Sequence, residues 1–209
     1  MKTDELINIL AQAPKPKKPI SIFVAVILFL GLCLLATSLL MGIRPDLSGH
    51  WRDITALYKT MLLFLNLCVV AWALDYAAQP FSERKINKTW PVLLGILFFL
   101  SLVLEWHYEA ASQILHRLAL PNFTVCLRTV TLYGTLGAIF LTWLMHYYAP
   151  ADERKAATLT GFAAASIGAL GYSIHCPIDS PTFILISYGL PILLITLCAR
   201  FFALRFIRW

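Results

Sequence analysis

Ile174-His175-Cys176-Pro177-Ile178-Asp179-Ser180 is a short polar turn between two long apolar runs, Ala156 to Ser173 and Pro181 to Ala199. Each run is about long enough to cross a hydrocarbon core of ~30 Å at ~1.5 Å per helical residue. The pair therefore reads as a helical hairpin of two membrane spans with a cysteine at its tip. Ser180 followed by Pro181 has the character of an N-cap and a first helical position, where the missing proline N–H does no harm. The turn holds Asp179 and neither Lys nor Arg, which orients it away from the cytoplasm.

Working outward, the rest of the chain has the same character. Of 209 residues, 59% are hydrophobic and 13% charged, a balance that excludes an ordinary soluble domain. No linker or low-complexity stretch separates two domains. The reading is an all-α integral membrane protein: a six-helix bundle over residues 19–209, preceded by a short segment 1–18. The spans fall at about 20–43, 54–78, 90–104, 125–148, 156–173 and 181–199. Lys59 and Asp75 lie near the two ends of the second span, where a long stem or an interfacial position keeps a charge wet. Residues 105–120 form a longer connection whose Trp106, Tyr108, Ile114, Leu115 and Leu118 suit an amphipathic helix on the outer interface. In the fifth span Ala157, Gly161, Ala165 and Ala169 recur every four residues, with Gly168 and Gly171 nearby, a small-residue face that places this helix centrally.

The net charge of +6 is explained by where the cations sit. Lys2, Lys15, Lys17, Lys18, Arg84, Lys85, Lys88, Arg154, Lys155, Arg200, Arg205 and Arg208 fall on one side of the six-span arrangement. Only Arg44, Arg52, Lys59, Arg117 and Arg128 fall on the other. Both termini are thereby assigned to the cytoplasm, and the basic excess reflects topology rather than nucleic-acid binding.

In the first eighteen residues, Thr3 can cap a helix that opens with Asp4 and Glu5. Leu6, Ile9, Leu10 and Ala13 then lie on one face and Asp4, Asn8 and Gln12 on the other. So short a helix is marginal in water and needs its apolar stripe covered, by the membrane surface or by a protein partner. Pro14, Pro16 and Pro19, interleaved with Lys15, Lys17 and Lys18, form a stiff basic collar between it and the first span.

Few residues can carry chemistry. Cys33, Cys68 and Cys198 read as buried, inert side chains. Cys126 and Cys176 both fall at outer ends of spans, at one depth, on the side where bacterial disulfides persist. His175 adjoins one and Arg128 the other, and cationic neighbours favour thiolate. They are either a functional or structural pair or two unrelated interfacial cysteines. The absence of a C-x-x-C motif argues against a thiol oxidoreductase, although a membrane thiol-redox protein remains an alternative, followed by a small transporter. His50, His107, His116, His146 and His175 show no metal-ligand spacing. Neither a catalytic residue nor a cofactor is expected.

Met1-Lys2-Thr3-Asp4-Glu5-Leu6-Ile7 ahead of the spans, Gly42-Ile43-Arg44-Pro45-Asp46-Leu47 after the first, His175-Cys176-Pro177-Ile178-Asp179-Ser180 before the last, and a terminal Arg208-Trp209 together resemble the NrsF family. The resemblance covers essentially the whole chain. It implies an anti-sigma factor of the bacterial inner membrane that restrains an extracytoplasmic-function sigma factor. It further implies that Thr3, Asp4, Leu6, Ile7, Ile9 and Leu10 contribute to sigma-factor binding. Cys126 and Cys176 would be the family's paired extracytoplasmic cysteines, responsive to metal or oxidative stress, with His175, Arg128 and Asp179 as possible helpers.

Overall fold

The computed structural model describes residues 20–44, 54–79, 89–119, 121–148 and 150–207. The amphipathic segment, with Thr3, Asp4, Leu6, Ile7, Ile9 and Leu10, lies outside the described residues. Their regular structure is all helical, without a strand: α1 (Ile22–Leu40), α2 (Ile54–Ala78), α3 (Thr89–Tyr108), α4 (Ala111–Ala119), α5 (Pro121–Met145), α6 (Glu153–Ser173), α7 (Pro181–Ile184) and α8 (Leu190–Ile207). A π-helical turn, Leu185–Gly189, joins α7 to α8 without interrupting the rod. Pro191 accounts for it, because it has no N–H to offer the Ser187 carbonyl one turn back.

Among the described residues, five helices rather than six are long and apolar enough to cross a membrane: α1, Thr55–Ala78 in α2, α3, α5, and Pro181–Phe202 through the π turn. The exception is α6, the expected fifth span. Alanine, glycine, serine and threonine make up most of its sequence, and fifteen of its residues are buried. It packs against α5, α8, α2 and α1, so it meets other helices where the rest of the bundle presents leucine and phenylalanine outward. A helix so enclosed needs small side chains rather than high apolarity. At Gly168 a Cβ would come within 2.8 Å of the Gly134 nitrogen and 3.0 Å of the Val130 carbonyl, so α5 and α6 touch backbone to backbone there.

The element boundaries move in one instructive way. α3 continues to Tyr108, carrying Glu105 and Trp106 into the span end, and only Ala111–Ala119 forms the separate amphipathic helix. Glu105 is buried; it accepts hydrogen bonds from the Thr182 backbone N–H at 2.7 Å, from Thr182 Oγ1 at 2.6 Å and from the Ser180 hydroxyl. The carboxylate thus sits at the start of α7, where a helix N-terminus favours negative charge. Ser180 Oγ in turn accepts from Phe183 N–H at 3.3 Å, the capping role expected of it, with Pro181 in the first turn. Arg117 of α4 pairs with Glu105 at 3.4 Å and Glu109 at 2.6 Å, tying the amphipathic helix to the same corner.

Candidate functional site

The α6–α7 turn is where buried polar groups converge. Cys176 and Cys126 are both fully buried, and their sulfurs are 3.4 Å apart as free thiols. Cys126 comes from the second turn of α5, and Tyr172 Oη of α6 lies 3.5 Å from its sulfur. The turn after Ser173 lays Cys176 against α5. The turn cannot wander, because three elements hold it.

The first is α2. Lys59 Nζ donates to the carbonyls of Cys176 at 2.8 Å and Ile178 at 3.0 Å, and pairs with Asp179 at 2.7 Å. An ammonium has three protons, and these three acceptors use them all. That is how a lysine with no exposed side-chain surface is tolerated in a helix taken to be apolar. The second is the end of α1. Gly42, at φ 80, turns the chain in the left-handed region after the helix and presents its carbonyl to His175 Nδ1, which donates at 2.9 Å. Arg44 pairs with Asp179 at 3.2 Å and its backbone N–H bonds the Ile174 carbonyl at 3.3 Å. The third is Glu105 of α3, through Ser180 and Thr182.

Several sequence-based expectations change here. Lys59 is not kept wet at an interface; it is buried and ion-paired. Asp179 serves the ion pair rather than the thiols. His175 faces Gly42, with its ring 5.6 Å from that of Tyr172. Arg128 is exposed. Two residues along a helix is roughly 200° of turn, so it points away when Cys126 points in. Of the three cysteines read as buried, only Cys33 is; Cys68 and Cys198 are exposed on outward faces. Lys59, Arg44, Tyr172 and Tyr188 are the members of the site that the sequence did not single out as such. Among the described residues no three His, Cys, Asp or Glu side chains group as a metal site.

Electrostatics separate the two thiols. The hydrogen bond from Cys126, opposed by burial and aided by the Lys59 charge, holds the Cys176 thiol below the usual thiol range. Tyr188, in the π turn, is fully buried with its hydroxyl toward Cys176 but outside hydrogen-bonding geometry.

The buried polar centre of this multi-helix protein is thus a thiol pair beside a cluster of ion pairs. The family model described as negative regulator of sigma F matches residues 6–209, and the chain belongs to this NrsF family. No curated protein and no solved structure matches it.

Proposed function

We propose that this chain is a non-enzymatic anti-sigma factor of the bacterial inner membrane. It holds an extracytoplasmic-function sigma factor through its cytoplasmic residues 1–18 and releases it on metal or oxidative stress outside the cytoplasm. The family supports the regulatory role; the observation that carries the signalling half is the 3.4 Å approach of Cys126 and Cys176 on a turn that α1, α2 and α3 all grip. A change at that turn is felt by helices whose opposite ends face the cytoplasm in this topology. In this reading α6 also crosses the bilayer, sheathed by its neighbours, which gives six spans and puts both termini on the basic, cytoplasmic side.

The test is a reporter gene driven by the sigma factor. Leu10→Glu should turn it on without stress, because burying that leucine contributes roughly 1.5–3 kcal/mol and a carboxylate there adds a desolvation cost. Cys126→Ser and Cys176→Ser should each leave it unresponsive, whereas Cys33→Ser and Cys68→Ser should respond as the native chain does. A normal response from both outer-cysteine variants would rule out the sensing role.

A further inference from the structure

The two sulfurs have unequal surroundings. Cys176 lies on a turn whose own carbonyl is bound to the Lys59 ammonium, and Lys59 is fixed by three acceptors of that turn, so its charge cannot swing away. Cys126 sits inside α5, with Tyr172 Oη at 3.5 Å and the Cys176 sulfur at 3.4 Å as its polar neighbours. We propose that Cys176 is the attacking thiolate toward a small hydroperoxide, that Cys126 is its proton-sharing and resolving partner, and that Lys59 is the positioning residue that makes them unequal. This rests on reading the pair as the receiver of an oxidative signal.

A cation held in a water-poor site acts far more strongly on a neighbouring thiolate than it would in water. The groups facing Cys176 are Lys59 from α2, Cys126 from α5, Tyr172 from α6, Tyr188 from the π turn, and, within and beside its own turn, Asp179 and Arg44. Asp179, the one acid among them, has its charge opposed by both Lys59 and Arg44. The Cys126 hydrogen bond is the first cause of the lowered Cys176 thiol, and the Lys59 charge adds to it. Neither sulfur has exposed surface, so the reagent must be small and neutral.

In the first step the Cys176 thiolate attacks one peroxide oxygen. An S–O bond forms, the O–O bond breaks, and hydroxide leaves; the sulfur loses two electrons to become a sulfenic acid and the peroxide is reduced. In the second the Cys126 sulfur attacks Cys176. An S–S bond forms, and the sulfenic oxygen leaves as water, taking the Cys126 proton.

The experiment uses the full-length chain with Cys68 and Cys198 replaced by serine, purified and treated with hydrogen peroxide, then denatured, trapped with dimedone and mapped by mass spectrometry. Cys126→Ser, whose hydroxyl can still donate to Cys176, should accumulate the trapped sulfenic acid at Cys176. Cys176→Ser should leave Cys126 a thiol, reacting at least ~10-fold more slowly at pH 7. The Cys176 rate should rise as pH increases through the lowered thiol value and then level off; Lys59→Met should move that rise to higher pH, and Lys59→Arg should restore much of it. Equal rates at the two sulfurs, or faster reaction at Cys126, would overturn the proposal whether or not the Lys59 variants fold. If the sulfurs prove unequal while the sigma-driven reporter ignores peroxide, the asymmetry stands and the oxidative-signal reading falls.

Discussion

Asp179 carries more of the turn's stability than its single charge suggests, because it pairs with both Lys59 and Arg44, whose side chains are 0% and 2% exposed. Removing one partner of a buried pair leaves a charge without compensation, which typically costs about 3–5 kcal/mol. Asp179→Asn should therefore lower the thermal midpoint of the purified protein by several degrees and loosen the Cys126–Cys176 approach. Unfolding followed by size-exclusion fluorescence checks this, and an unchanged midpoint would mean that the pair is solvated. Little in the order of residues warns of the arrangement. A lysine near a span end is ordinarily wet, and Asp179 belongs to a different hairpin, so their pairing arises only when α2 packs beneath the α6–α7 turn. The two outer cysteines were legible because their depth could be counted from the span ends. Which charged group stood beside them was not, since Arg128 is nearer in sequence and faces the wrong way.

Among the elements, α6 is defined by how closely its neighbours approach. Gly168→Ala puts a methyl where the Gly134 nitrogen and Val130 carbonyl already stand, and backbone cannot yield as a side-chain tip can. A cost of about 1–3 kcal/mol is expected from such overpacking. Gly95→Ala, with nothing within 4 Å of the added carbon, should be neutral or slightly stabilising. Comparing the two midpoints separates close packing from helix propensity; equal shifts would contradict the contact. The central place of α6 was readable from its four-residue spacing of small side chains. The π turn was not, although Gly189-Leu190-Pro191 held the signal in the proline that withdraws a donor from the helix.

For the whole molecule, the charge distribution remains the strongest guide to orientation. Alkaline phosphatase fused after Arg208 should be inactive and, inserted at Asp179, active; the opposite pattern would invert the proposed topology. The helical class and five of the spans followed from hydropathy, because lipid-facing surface must be apolar along its whole length. The remaining run, Ala156 to Ser173, gives a weaker signal, because a helix that packs against other helices needs small side chains more than high apolarity.

That weaker apolarity bears on biogenesis. α6 emerges from the ribosome before α8, one of the helices that cover it, and its small-residue surface gives it less inclination to enter lipid alone than any of the five apolar spans. In the six-span reading the hairpin therefore enters the membrane as a unit, with α6 waiting on the helix made after it. A chain cut short at Ser180 would keep every residue of α6 yet lack that cover, and should be cleared by membrane proteases although most of its hydrophobic mass is present.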